Sequence, residues 1–231
     1  MADNKETGNS EKYEWADPPA STPFPIAKDG YSYIAAAAFI TLVLALLHLP
    51  FLAFLSLLTT VAVCLFFRDP DRLIPTDPGA LVAAADGRII FAGLVDENPF
   101  LPGQVLKIST FMSVANVHVN RFPVTATVEK VVYTPGDYMV ASHPKASLEN
   151  EHNAVYLKDE NGKRLCVVQV AGLIARRIRS NVKPGDRLLR GQRFGLICFG
   201  SRVDLYLPPE TRPTVNVGDA VRGGTSILAK I

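Results

Sequence analysis

The chain has 231 residues, a mass of 25.1 kDa and a formal net charge of +2, with 24 basic and 22 acidic side chains. This length allows one globular domain and an appendage, and the balanced charge argues against a nucleic-acid-binding surface spread over the whole chain. Its three cysteines and four histidines lack metal-ligand spacing. They predict free thiols in a reducing compartment and no metal site.

The first thirty residues are polar, rich in charge and interrupted by proline. They carry too few apolar side chains to build a core, so residues 1–30 are predicted to be disordered. They also lack the basic start, short apolar core and small-residue cleavage site of a secretory signal.

A long apolar segment occupies residues 31–67 and contains no Lys, Arg, Asp or Glu between Ile34 and Phe67. Pro50 divides it into two halves, each shorter than the roughly 20 residues of a comfortable membrane span. A membrane-anchoring helical hairpin is predicted, either as two short spans or as a wedge that enters from one face. The alternative is a buried core hairpin of a soluble protein. Lys28 and Arg68 flank the segment, which places both of its ends in the cytoplasm.

The remaining residues, 68–231, read as a single mostly β domain. Four β-branched runs closed by Gly, Pro, Asn or Asp are typical of strands and turns, and they cover residues 88–92, 105–109, 124–133 and 164–171. No amphipathic helix of twelve or more residues is indicated in this part of the chain.

A short internal repeat lies near the C-terminus. Residues 182–197 and 215–228 share the frame Val-x-x-Gly-Asp-x-h-x-x-Gly, in which h is apolar. The frame predicts a turn, a short strand and a second glycine turn. It resembles the hammerhead repeat of lipoyl and biotinyl carrier domains, which form a flattened barrel-like sandwich.

Gly200 and Ser201 lie between the two copies of the repeat. A Gly-Ser bond in a tight turn is common in ordinary proteins. It is also a place where a chain can cut itself, because glycine leaves the carbonyl open to attack by the neighbouring hydroxyl. The Gly200–Ser201 bond is therefore a candidate for self-cleavage.

Two further motifs accompany this bond: the tract from Ser113 to Pro123, which contains Asn-Val-His-Val-Asn, and the turn Ala84-Ala85-Asp86-Gly87-Arg88. With the apolar segment and the Phe-Gly-Ser-Arg motif, they resemble the short, bacterial-type form of the phosphatidylserine decarboxylase family. The resemblance runs from about Phe66 to Ile231.

That resemblance implies a carboxy-lyase that converts phosphatidylserine to phosphatidylethanolamine. It implies self-cleavage at 200/201 into a large and a small chain that remain one complex, and a covalent pyruvoyl cofactor made from Ser201. The pyruvoyl carbonyl would form a Schiff base with the substrate amine and serve as the electron sink.

Site residues follow from the same resemblance. Ser201, His118 and Asp86 correspond to a Ser-His-Asp arrangement that performs maturation, and His118 would also return a proton during turnover. Arg176 and Arg177 are candidates to bind the substrate phosphate. The longer forms of the family carry a second histidine where this chain has Arg121, which makes Arg121 a third candidate for substrate binding.

The expected location is the cytoplasmic face of the cell inner membrane, with phosphatidylserine and the bilayer as partners and no nucleic acid. Two alternatives stay open. One is the same chemistry on an archaeal-type ether lipid. The other is a membrane-tethered carrier module without enzymatic activity, although no lysine lies between Leu196 and Pro213 to carry a prosthetic group.

Overall fold

The computed structural model describes residues 12–20, 22, 24–173, 177–198 and 200–231. The chain forms two compact units. One unit is Ala20–Asp71, and the other combines the chain up to Pro19 with Arg72–Ile231. The prediction of a mostly β protein with an N-terminal apolar helical hairpin is confirmed.

The smaller unit is built on two apolar helices, α1 (Tyr31–Leu46) and α2 (Pro50–Phe66), after a single 3-10 turn at Lys28–Gly30. Pro50 is the first residue of α2, a position that needs no backbone N–H donor. His48 in the connection has φ +56°, the left-handed conformation that lets two helices reverse within a few residues.

The two helices contact each other through hydroxyl groups, because Thr41 Oγ1 lies 2.8 Å from Ser56 Oγ and 3.1 Å from Thr60 Oγ1. Most of the large apolar side chains of the hairpin are exposed, as Phe51 (76 %) and Leu46 (69 %) illustrate. The 19-residue helical segment Lys28–Leu46 is long and apolar enough to cross a membrane, and α2 is apolar but shorter.

The larger unit is built from short strands joined by tight turns. In chain order, the strands that the structure describes are β1 (Tyr13–Trp15), β2 (Leu73–Pro75), β3 (Ala80–Val82), β4 (Gly87–Val95), β5 (Val105–Met112), β6 (Val119–Arg121), β7 (Ala126–Thr134), β8 (His152–Asp159), β9 (Arg164–Val170), β10 (Ile178–Ser180), β11 (Arg187–Leu188), β12 (Arg193–Ile197), β13 (Ser201–Leu207), β14 (Arg212–Pro213), β15 (Ala220–Val221) and β16 (Ile227–Lys230). One four-residue helix, α3 (Ala146–Glu149), lies between β7 and β8.

An eight-stranded antiparallel sheet carries the core, in the order β11-β7-β8-β9-β13-β5-β4-β15. Strands β9 and β13 lie at its centre and are buried along nearly their whole length. Three smaller sheets, β10-β12-β6, β14-β16-β3 and β1-β2, complete the unit. The four runs predicted from the sequence fall on β4, β5, β7 and β9, whereas β8 and β13 were not predicted.

Within the stretch for which the sequence predicts disorder, Tyr13–Trp15 forms strand β1 and pairs antiparallel with β2. Asp17 follows, and its Oδ2 accepts hydrogen bonds from the backbone N (3.2 Å) and Nη1 (2.9 Å) of Arg193. Backbone pairing and a charge-assisted contact hold this segment despite its polar composition.

The two copies of the Gly-Asp repeat make the same contacts. The N–H of Gly185 donates to Val128 O and the N–H of Gly218 to Ile89 O, both at 2.8 Å. The second glycine turns match as well, with Gly191 N on Phe122 O and Gly224 N on Ala83 O, again at 2.8 Å. One half of the large sheet thus repeats the other, while the hammerhead assignment itself stays a prediction.

Candidate active site

The Gly200–Ser201 bond lies at the entrance to the central strand β13. Gly200 has φ +61°, which glycine adopts at little cost. Ser201 is fully buried and faces Met112 on β5. Its hydroxyl lies 3.4 Å from Met112 Sδ, and a thioether is only a weak acceptor. Among the described residues, the Ser201 hydroxyl therefore has no strong hydrogen bond that would hold it away from the Gly200 carbonyl.

A second glycine packs against the same bond. A Cβ placed on Gly172 would lie 3.0 Å from the Gly200 carbonyl carbon and closer still to its oxygen, nearer than any real Cβ approaches another atom. It would also lie 3.2 Å from Ala141 Cβ. The Gly200 carbonyl thus rests directly on the backbone of Gly172.

His118 is fully buried in the connection between β5 and β6. Its Nδ1 lies 2.9 Å from the carbonyl oxygen of Asn116. Because a carbonyl can only accept, this contact assigns the ring proton to Nδ1 and leaves the lone pair of the neutral ring on Nε2. A histidine in this tautomer can take a proton through Nε2.

A chain of buried amides extends from the His118 motif across the sheet. Asn153 Nδ2 donates to Gln169 Oε1 (3.1 Å), and Gln169 Nε2 donates to Asn120 Oδ1 (2.8 Å). Asn120 Nδ2 then lies 3.8 Å from Met112 Sδ, the same sulfur that contacts Ser201. Since buried polar groups are stable only when paired, this chain fixes the position of the strand that follows His118.

Asp86 occupies the turn before β4, buried to 9 % exposure. Its Oδ1 accepts from the backbone N–H of Gly223 at 2.7 Å, and its Oδ2 pairs with Arg72 at 2.9 Å. The equivalent bond in the other half of the repeat joins Arg190 N to Thr125 Oγ1 at 3.1 Å. Accepting a backbone N–H is therefore a structural role of this position, which Asp86 fills with one oxygen.

The three predicted maturation residues meet at one end of β5. Ser201 pairs with Met112 there, and Arg88, two residues after Asp86, pairs with Phe111. His118 follows β5 through one short turn. Among the described residues, neither Ser201 nor Asp86 is hydrogen-bonded to His118. The structure thus collects the three residues without a bonded line between them, and their joint role stays a prediction.

Arg202, the residue after Ser201, was not singled out by the sequence. It is buried and its Nη1 donates to the carbonyls of Ala141 (2.8 Å) and His143 (3.1 Å). Its Nε lies 2.9 Å from Asp204 Oδ1, and both Asp204 and Arg202 contact Ser147. This buried ion pair ties the segment that contains α3 to the strand of the cleavage site.

The tied segment borders an open cavity of about 530 Å³. Its lining residues are Asp137, Tyr138, Met139, Val140, His143 and Leu173. Val140 (52 %) and Leu173 (61 %) expose much of their apolar surface, and Leu173 directly follows the glycine that supports the Gly200 carbonyl. An apolar cavity therefore opens close to the cleavage site.

The candidate arginines fall in different places. Arg121 is buried, donates from Nη1 to Gly191 O at 3.0 Å and lies 3.8 Å from Asp17 Oδ2, contacts that stabilise the fold. Arg177 is exposed, and Arg176 lies outside the described residues. Among the residues that the structure describes, no group of three His, Cys, Asp or Glu side chains is placed to hold a metal ion.

Comparison with known proteins identifies the family of the chain. The family model described as phosphatidylserine decarboxylase matches residues 60–229. A phosphatidylserine decarboxylase proenzyme of Desulfotalea psychrophila is 48 % identical over 207 residues, which cover 90 % of this chain and 97 % of that protein. Proenzymes of the same name from Nitrosomonas eutropha (47 %; 90 % and 96 % covered) and Geotalea uraniireducens (48 %; 88 % and 95 % covered) are similarly close.

The chain has a buried serine after a glycine with positive φ, and its relatives are named decarboxylase proenzymes, so its class is that of the carboxy-lyases. The chain belongs to the phosphatidylserine decarboxylase family.

Proposed function

We propose that this chain cuts itself between Gly200 and Ser201, converts Ser201 to a pyruvoyl group and uses it to decarboxylate phosphatidylserine to phosphatidylethanolamine. The observation that carries the proposal is the fully buried Ser201, which follows a glycine at φ +61° and whose hydroxyl, among the described residues, has only a thioether as hydrogen-bond partner. An ordinary turn serine lies at the surface, where water or a backbone group satisfies its hydroxyl.

Maturation begins when the Ser201 hydroxyl turns about χ1 from Met112 towards the Gly200 carbonyl. Oγ forms a bond to the carbonyl carbon, the bond from that carbon to the Ser201 nitrogen breaks, and the hydroxyl proton passes to that nitrogen. His118 carries the proton through Nε2, because its Nδ1 proton is held by Asn116 O. Elimination from the resulting ester and hydrolysis then release the large chain and ammonia.

Ser201 is fully buried and its hydroxyl lies 3.4 Å from Met112 Sδ, so a pyruvoyl group made from it would be shielded from water. Once formed there, a pyruvoyl group would accept the electron pair that stays on the substrate carbon when carbon dioxide leaves. The start of β13 orients that group, and the closed surroundings exclude water. His118 is the proposed donor of the proton that replaces the carboxylate on the substrate carbon.

The lipid would approach through the cavity bordered by Val140 and Leu173, whose exposed apolar surface suits a glycerol and acyl portion. Arg177 and Arg176 follow Leu173 in the sequence and supply cations for a phosphodiester. The helical hairpin would anchor the protein on the cytoplasmic face of the inner membrane, since the basic residues flank its two ends.

Intact mass spectrometry of freshly purified, denatured protein tests the first step. We expect a large chain that ends at Gly200 and a small chain that begins with a pyruvoyl group at position 201. The Ser201→Ala variant should remain a single inactive chain. A single uncut species in active wild-type protein would remove the proposal.

Carbonyl reagents test the second step. Borohydride added with phosphatidylserine should attach the substrate amine to the small chain, and hydroxylamine should abolish activity. A carrier module would show neither result. Comparing diacyl phosphatidylserine with its ether-linked analogue separates the two lipid classes, because only the preferred lipid should be converted rapidly.

A further inference from the structure

Gly172 packs against the Gly200 carbonyl and is not one of the residues proposed to transfer protons. Gly172 follows Ala171, whose backbone is fixed at both ends: its N–H donates to Glu151 O at 2.9 Å, and its carbonyl accepts from Asn150 Nδ2 at 2.8 Å. Asn150 and Glu151 are themselves buried. The backbone of Gly172 therefore cannot move away easily from the carbonyl that it touches.

The two glycines at this place are needed for different reasons. A Cβ on Gly200 would meet nothing within 4 Å, so Gly200 is required only for its positive φ. Gly172 carries no positive φ, and a Cβ there would collide with the oxygen of Gly200. The backbone of Gly172 therefore limits the space next to the Gly200 carbonyl.

We propose that Gly172 is a positioning residue for self-cleavage, and this proposal rests on the proposed function. Its bare backbone lets the Gly200 carbonyl adopt the orientation in which Ser201 Oγ reaches the carbon. Any side chain at position 172 pushes the oxygen aside and turns the carbon away from the hydroxyl. A misplacement of about 1 Å can slow such a step roughly 10²-fold.

The Gly172→Ala variant of the full chain tests this role. We expect self-cleavage, followed by denaturing mass spectrometry over time, to slow roughly a hundredfold relative to wild type. Hydroxylamine cuts an ester readily, and among peptide bonds it cuts Asn-Gly, which occurs here at Asn161–Gly162. It should therefore release no fragment that ends at Gly200 from the stalled variant. Cleavage of the variant at the wild-type rate, or ready cutting by hydroxylamine after Gly200, would overturn the proposal.

Two glycine variants serve as matched controls. In Gly93→Ala the new Cβ meets only ordinary contacts, the nearest at 3.7 Å, and cleavage should proceed at the wild-type rate. In Gly79→Ala the new Cβ lies 2.6 Å from the backbone oxygen of Ile231, away from the groups that hold Gly172. That variant should lose stability and still cleave, which separates a general packing defect from a misplaced Gly200 carbonyl.

A comparison between uncut proteins shows whether the variant folds. The double variant Gly172→Ala, Ser201→Ala should have an unfolding temperature within a few degrees of that of Ser201→Ala alone. If the double variant does not fold, the contact is a requirement for folding, and the positioning role is overturned. The failure of the wider proposal is distinct, because wild-type protein would then remain uncut as well.

Discussion

At the scale of single residues, Asp86 has a structural role and a proposed chemical role. One oxygen accepts the N–H of Gly223, as Thr125 accepts the N–H of Arg190 in the other half of the sheet. The other oxygen pairs with Arg72, and it is the one to which we assign a role in proton transfer. A threonine at position 86 should preserve the first role and remove the second.

We therefore expect Asp86→Thr to fold and to cleave itself far more slowly than wild type, by a factor on the order of 10² for the loss of a group that assists proton transfer. Time-resolved mass spectrometry measures the rate, and thermal unfolding measures stability. The matched control is Thr125→Val, which loses the equivalent hydrogen bond at a cost of about 1 kcal/mol and should cleave normally. Normal cleavage by Asp86→Thr would leave Asp86 with a structural role only.

The buried thiol of Cys166 should make the free energy of unfolding depend on pH in the alkaline range. Burial raises the pKa of its thiol well above the ordinary 9.0, and burial likewise raises the pKa of Tyr206 above 10.0. Above pH 9.0 the unfolded chain loses the thiol proton while the folded chain keeps it, so the free energy of unfolding falls as pH rises.

Urea unfolding between pH 7 and about 10 should show this decline, beginning near the ordinary thiol pKa. Cys166→Ala should be less stable at pH 7 by about 1 kcal/mol because of the lost sulfur, and its decline between pH 9 and about 10 should be shallower. Equal slopes for both proteins would show that other groups control the alkaline transition.

At the scale of secondary-structure elements, the apolar hairpin lies in the sequence between two strands that pair with each other. Trp15 on β1 pairs with Leu73 on β2, so the chain leaves the β unit and returns to it through neighbouring strands. Replacing residues 20–71 with a short Gly-Ser linker keeps β1 and the contact of Asp17 with Arg193.

This linker variant should no longer sediment with phosphatidylglycerol-containing vesicles and should still cut itself. Removal of residues 1–67 also deletes β1 and Asp17, so that truncated protein should unfold at a lower temperature. If the linker variant still sediments with the vesicles, the β unit has a membrane-binding surface of its own. The exposed apolar residues around Leu173 would then be the first to substitute in search of that surface.

The sequence predicted some elements and missed others for physical reasons. The runs on β4, β5, β7 and β9 were found because β-branched residues dominate them. Strand β13 was missed because Arg202 and Asp204 give it a polar pattern. These two side chains are buried because they pair with each other and both bond to Ser147.

The site shows the same division. Short motifs, each local in the sequence, identified the candidate residues Gly200, Ser201, His118 and Asp86. The contact of Gly172 with Gly200 and the amide chain through Gln169 join segments far apart in the chain, and no local pattern indicates such packing.

At the scale of the whole molecule, cleavage would leave a small chain, residues 201–231, that cannot easily leave. Its first strand, β13, pairs with β5 on one side and β9 on the other, both in the large chain. The later strands β15 and β16 pair with β4 and β3. Loss of the small chain requires unfolding of the central sheet.

We expect the two chains to coelute in gel filtration and to separate only at the urea concentration at which the whole β unit unfolds. Circular dichroism and gel filtration at matched urea concentrations measure both events. Release of the small chain well below the unfolding midpoint would show that β13 is held less firmly than its central position implies.

The repeated halves of the sheet also suggest an ancestry. Gly162, at φ +80°, lies before β9 in the same place as Gly200 before β13. The backbone hydrogen bond from Asp159 N to Lys163 O corresponds to the pairing of Met112 with Ser201. Thr125, Asp159 and Arg190 line a cavity of about 210 Å³ at that corner. This is the pattern that duplication of an ancestral half-domain would leave. One corner is a plain hairpin, and the other carries Ser201 and Asp86, the serine and the acid to which we assign formation of the cofactor.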